Sequence, residues 1–202
     1  MSILKDLHIV VSHDTRAGIL FEALFPGKTF LEIEYEKPSQ YIKIYWDKFV
    51  QQGISNLNGQ FFEILISTLL YREQLLPFYL QAKVAFVPNV NFDILLYCKE
   101  YGPISLSLKT SLRERYKQAD LESIALKYVH RKAQSYLLTM EEHEGVKVKD
   151  KIRTGDVIGI DNVIICSLQD IDDLIAKLHT LQFELAGSVD IIQSSQIIQK
   201  QP

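Results

Sequence analysis

The stretch that most constrains the fold is Ile104 to Glu122, ISLSLKTSLRERYKQADLE, because it changes hydrophobic period partway along. Apolar Ile104, Leu106 and Leu108 alternate with polar Ser105, Ser107 and Lys109, the two-residue period of a half-buried strand, and a helical period then takes over. Ser111 followed by Glu114 has the spacing of a capping box, which predicts a helix beginning near Leu112. If that helix folds back over its strand, the four strand steps from Ser111 to Ser107 span about 13 Å. The nine or ten helical steps from Leu112 or Arg113 to Glu122 span about 14 Å, so Glu122 comes level with Ser107, beside Lys109. A carboxylate and an ammonium brought together at a strand end suit a metal-bound phosphate. They equally suit a surface helix whose Glu122 meets only solvent or Arg115.

Residues on either side supply the rest of the pattern. Upstream, GQFFEILISTLLYREQLL reads as an apolar helix stopped by Pro77, with Glu63 set among Phe61, Phe62, Ile64, Leu65 and Ile66. A carboxylate there must be satisfied or stay at a wet edge, and a peripheral glutamate is the competing reading. Strands are expected at Gln81 to Val87, Phe92 to Cys98 and Ile104 to Ser111, joined by turns at Pro88-Asn89 and Gly102-Pro103. Asp93 is the one acid in the middle strand before Lys99-Glu100. Gln134 to Met140 and Val157 to Ser167 predict two further strands, Leu168 to Leu181 a helix, and Val189 to Ile192 a short last strand. The expected architecture is α/β, a mixed central sheet with helices on both faces.

Residues 1–57 read as an N-terminal α/β segment packed on a core formed by residues 58–202. Strands are expected there at Leu7 to Val11 and Thr29 to Glu36, with helices at Ala17 to Phe25 and Ser39 to Gln52. Tyr41, Tyr45, Trp46 and Phe49 have the spacing of a core stripe more than of a base-stacking platform. The Gln-rich tail after Gln193 is expected to fray.

Several chemistries are disfavoured. Cys98 and Cys166 lie in apolar runs without ligand spacing, which disfavours a thiol metal site. The histidines are scattered, Glu141 to Gly145 lacks the HExxH spacing, and neither a phosphate-binding GxxxxGK(S/T) loop nor a GxSxG elbow occurs. No signal peptide or membrane span is evident, which points to the cytoplasm. The net charge of −3 does not advertise nucleic-acid binding. Its distribution is more informative: residues 109–132 carry seven basic and three acidic side chains, residues 141–202 six basic and eleven acidic. That asymmetry fits either a DNA-facing side or a solvated helix.

A helix with Glu63, a strand with Asp93, a strand ending in Ser107-Leu108-Lys109 and a following helix together resemble the PD-(D/E)xK nuclease core. Phe92 stands where the pattern has proline, and Ser107 where it has an acid. The second departure resembles the branch of type II restriction endonucleases with an SxK motif, whose missing acid comes from the next helix. Lys109 to Gln118, KTSLRERYKQ with Glu122 beyond it, is similar to the corresponding segment of the EcoRII-like group.

The resemblance covers roughly residues 58–140. It implies Mg²⁺-dependent hydrolysis of double-stranded DNA, with Asp93, Lys109, Glu122 and Glu63 as catalytic residues. Asp93, Glu122 and the Leu108 carbonyl would be metal ligands. Arg113, Glu114, Arg115 and Lys117 would contact DNA, Glu114 having its capping role as a rival use. It further implies a homodimer cutting a short palindromic, GC-containing site, and a cognate DNA methyltransferase in the same cell but not as a subunit. Two alternatives remain: a catalytically degenerate DNA-binding protein of this fold, and a structure-selective or repair nuclease.

Overall fold

In a computed structural model, the residues described are 2–12, 15–186, 192–193 and 196–199. The element order is α1 (Ile3–Asp6), α2 (Arg16–Ala23), α3 (Pro38–Val50), α4 (Asn58–Arg72), β1 (Phe78–Val84), β2 (Phe92–Cys98) and β3 (Gly102–Leu108). It continues with α5 (Arg115–Val129), β4 (Gln134–Thr139), α6 (Glu142–Thr154), β5 (Asn162–Ile165), α7 (Gln169–Leu178), β6 (Ile192–Gln193) and β7 (Gln196–Ile198).

The strands form one mixed sheet in the order β5-β4-β3-β2-β1, with β6 and β7 sharing the outer edge of β1. β1, β2 and β3 are an antiparallel meander, while β3, β4 and β5 run parallel. Parallel neighbours need a crossover, so α5 must run back along the sheet between β3 and β4. Helices cover both faces. On one, α2, α3, α4 and α7 bury Phe21, Tyr45, Phe61, Leu65 and Ile175 with Leu80, Ile94, Leu106, Leu138 and Ile164. On the other, Leu126 of α5 meets Tyr79 and Leu95, and Ala119 meets Leu137, Val148 of α6 and Val163. The fold is therefore the α/β class that the patterning implied.

The aromatic stripe of α3 is core: Tyr41, Tyr45 and Phe49 are buried, and Phe21 stacks on Tyr45 with ring centroids 4.4 Å apart. β2 has the span its alternation predicted. β1 begins at Phe78, three residues earlier than expected, and its alternation breaks at Gln81, whose φ is +46°. Leu80 points to the α4 side, yet Ala82, of the same parity, packs on the opposite side. The break turns Gln81 toward α4.

Four expectations are corrected. The strand at Leu7 to Val11 is absent: the amides of Leu7 and Ile9 bond back to the carbonyls of Ile3 and Leu4, continuing the turn of α1. Thr29 to Glu36 is likewise no strand. Glu32 folds back to accept from the Thr29 amide at 2.6 Å and hydroxyl at 2.8 Å, making a capped 3₁₀ turn, and Arg72 takes the carbonyls of Phe30 and Ile33.

The proposed strand at Val157 to Ser167 shrinks to β5, because the amides of Ile158, Gly159 and Ile160 all donate to Asp120 Oδ1 instead of to a strand. Gly159 is required there: a Cβ would lie 2.4 Å from the Asp120 carbonyl oxygen. Finally, α6 occupies the stretch between β4 and β5 that had no expected element. The predicted last strand at Val189 to Ile192 lies largely outside the described residues. Within the tail, Gln196–Ile198 pairs with Phe78, Tyr79 and Leu80 of β1.

Candidate active site

The site is assembled from the end of the meander. Lys109 follows the last residue of β3, and its amide donates to the Leu138 carbonyl at 3.0 Å, extending the ladder with β4. The side chain is 8% exposed, and Nζ donates to Asp93 Oδ2 at 2.9 Å. The same oxygen accepts from the Leu108 amide at 2.7 Å and lies 3.5 Å from the Ser107 hydroxyl. Asp93 sits one residue before the Ile94–Leu106 register pair, so β2 and β3 present the aspartate and the lysine to each other through backbone pairing alone. In a strand, the amide and carbonyl of one residue project to the same edge. The Leu108 carbonyl therefore faces the Asp93 side.

Two more carboxylates, on helices of opposite faces, are electrostatically coupled to this ion pair. Glu63, on α4, accepts from the Gln81 amide group at 2.8 Å, and Gln81 in turn accepts from Asn91 at 2.6 Å. Burial pushes the Glu63 carboxyl above its ordinary value; the Gln81 hydrogen bond opposes this, the Asp93 charge adds to the rise, and the Lys109 charge opposes it. Glu122, on α5, accepts from Gln118 at 2.8 Å one turn earlier. Its carboxyl is also raised, first by burial and further by Asp93, against the Gln118 bond and the Lys109 charge. Both glutamates thus feel Asp93 and Lys109 electrostatically, and the Glu122 side chain bonds Gln118, not Arg115.

The second half of the KTSLRERYKQ segment departs from expectation. The Ser111–Glu114 capping box does not form, and α5 starts at Arg115, three residues after the expected Leu112. Glu144 of α6 captures the amides of Leu112 at 2.6 Å and Arg113 at 3.3 Å, and Leu112 is fully buried, so residues 110–114 pack as a loop against α6. Glu114 pairs instead with Lys117. Arg113, Glu114, Arg115 and Lys117 are all exposed at this end of the helix.

The hard oxygen donors at this end of the sheet are Asp93, Glu63, Glu122 and the Leu108 carbonyl. Lys109 is salt-bridged to Asp93, and Glu63 and Glu122 both sense that pair, each with its carboxyl raised first by burial. Among the described residues no three carboxylate, imidazole or thiol groups are gathered into a ready ligand cage. Mg²⁺ keeps several waters and takes one or two carboxylates, so the donor set fits it without such a cage. Cys98 and Cys166 are buried and unpaired, and burial raises the Cys166 thiol. No described helix is long and apolar enough to cross a membrane.

Sequence reasoning missed Gln81, Gln118, Asp120 and Glu144. Gln118 was legible as an i,i+4 partner of Glu122. The others depend on long-range packing.

No family model matches the chain, and no curated protein matches it. Among solved structures, it is similar to one described as a restriction endonuclease PspGI–substrate DNA complex, at 17% identity and a TM-score of 0.46, over 77% of this chain and 71% of that one. A likeness of that size carries no argument about the site.

Proposed function

We propose that this chain is a Mg²⁺-dependent endonuclease of the type II restriction class, with a PD-(D/E)xK-like core. It hydrolyses phosphodiester bonds of double-stranded DNA at a short, palindromic, GC-containing site, acting as a homodimer alongside a cognate methyltransferase. The observation that carries this reading is the buried Lys109–Asp93 ion pair, with Glu63 and Glu122 electrostatically coupled to both. A buried ion pair is at best a modest source of stability, and a core of similar volume is often as stable without one. Its place at the sheet end, electrostatically coupled to two further acids, is better accounted for by chemistry.

Asp93, Glu122 and the Leu108 carbonyl would hold the metal, which when bound polarises a phosphate and acidifies a water. Lys109 orients the attacking water and neutralises charge growing on the phosphate oxygens, protected by burial from bulk screening. Asp93 and the backbone around Leu108 fix the ammonium in place. Glu63, steered by Gln81, lies on the α4 side of the pair and would help to hold a second metal or position Lys109. Glu122 takes the part of the acid that Ser107 does not supply. At the start of α5, Arg113 and Arg115 pair with no carboxylate among the described residues and can form bidentate bonds with guanine O6 and N7, and Glu114 can accept from cytosine N4 on exchanging its Lys117 partner.

The decisive experiment is incubation with unmethylated phage DNA and Mg²⁺, followed by mapping of fragment ends. Discrete fragments with identical termini are expected, and irregular products would instead indicate a structure-selective nuclease. Lys109→Ala should abolish cutting while leaving DNA binding measurable; full cleavage by that variant would overturn the assignment. Ser107→Glu combined with Glu122→Ala should restore part of the activity lost in Glu122→Ala. The substitution of an acid by Ser107 favours a second reading, a DNA-binding protein without catalysis. That reading requires DNA binding that is indifferent to Mg²⁺ and Mn²⁺.

A further inference from the structure

The cations of α6 fall into two sets. Lys149 pairs with Asp170 and Arg153 with Asp150. Lys147 and Lys151, four residues apart and so on one helical face, pair with no carboxylate among the described residues. They line a cleft of about 350 Å³ between α6 and the loop entering α5, together with Arg113, Glu114, Tyr116 and Glu144.

Both acids of that cleft are already engaged, Glu144 by the Leu112 and Arg113 amides and Glu114 by Lys117. Lys151 Nζ stands 5.8 Å from the centre of the Tyr116 ring, which orients it without neutralising it. The walls are fixed. Val148 and Leu112 share one buried cluster, and Gly145 brings α6 so close to β5 that a Cβ would lie 2.8 Å from Ile165 Cγ1. A rigid cleft that keeps its cations unpaired, in a chain of net charge −3, is suited to an anion.

We propose that this cleft seats a backbone phosphate of duplex DNA on Lys147 and Lys151, adjoining the loop that links Lys109 to α5. The proposal rests on DNA being the substrate, and it divides the labour within the cleft. Arg113 reads bases from its rim, while the α6 lysines fix register on the backbone without regard to sequence.

The test measures equilibrium binding to a non-cognate and a candidate cognate duplex, without divalent metal, across a range of NaCl concentrations. It compares the wild-type chain with Lys147→Ala/Lys151→Ala and with Lys149→Ala. A lost phosphate contact should flatten the slope of log K against log salt by about 0.9, so the double variant, which empties one phosphate seat, should lose roughly one unit of slope and weaken both duplexes by the same factor. Lys149→Ala, which removes a lysine already paired outside the cleft, should leave the slope unchanged. A double variant with wild-type slope and affinity would overturn the phosphate seat while leaving DNA as the substrate. Unequal weakening of the two duplexes would also overturn it, by making the lysines base readers. Absence of salt-dependent binding by the wild-type chain would overturn the DNA reading itself, and the seat with it.

Discussion

Two parts of the candidate site are built by different means. Asp93 and Lys109 are carried by paired strands, and the register of β2 on β3 sets their separation. Glu63 and Glu122 are carried by helices on opposite faces, each steadied by a single side-chain amide, Gln81 or Gln118. The strand-borne pair is satisfied, salt-bridged and mostly buried, whereas the helix-borne acids have raised carboxyls and less complete partnering. If the proposed function holds, the half fixed by strand pairing would position a nucleophile, and the helix-borne half would supply the further acids.

The largest expected effect breaks the fixed half. Asp93→Ala leaves the Lys109 ammonium buried and unpaired, and should cost about 3–5 kcal/mol of stability besides eliminating cleavage. Adding Lys109→Met should recover most of the stability and none of the activity. Urea denaturation of the single and double variants checks this, and equal stability of Asp93→Ala and wild type would erase the distinction between the halves.

Next is the docking of the helix that carries Glu122. Gly159→Ala forces a methyl group against the Asp120 backbone and should cost roughly 1–3 kcal/mol, with a clear fall in metal affinity through displaced Glu122. Calorimetric Mg²⁺ titration of the folded variant would detect it; unchanged affinity would mean that α5 adjusts without moving its glutamate.

At the recognition end, Arg113→Ala should lose about 1–3 kcal/mol of discrimination between cognate and altered sites, measured by competition binding. Equal weakening at every site would recast Arg113 as a phosphate contact.

The smallest effect is on pH dependence. Glu63 and Glu122 have folded pKa values raised above 4.5, so the folded state retains protons that the unfolded chain has released. Their contribution to stability is therefore present at low pH and is lost as pH rises from 4.5 through the folded values. Mg²⁺ competes with those protons, so its thermal stabilisation should grow over the same window. Melting temperatures of Glu63→Gln and Glu122→Gln, with and without Mg²⁺, should show flatter profiles than wild type.

Much of the sheet was legible because alternation in FDILLYC and ISLSL survives into β2 and β3. The N-terminal strands were misread for a physical reason: TFLEIEYE alternates, but Thr29 and Glu32 satisfy each other locally and Arg72 takes the carbonyls a strand would need. Similarly, Ser111 and Glu114 have capping-box spacing, yet Glu144 from a helix with no recognised signal claims the amides.

What the sequence by itself determined is the succession of α4, the three meander strands, α5 and β4, and the positions of the charged residues within them, since period and composition act over a few neighbours. What only the tertiary structure decided is which of those charges meet. The Lys109–Asp93 pair, the turn of Gln81 toward Glu63 and the capture of residues 112–113 by Glu144 bridge separations of 16, 18 and 31 to 32 residues. At such distances in sequence, the partner that wins a polar group is set by sheet register and helix docking, not by local spacing.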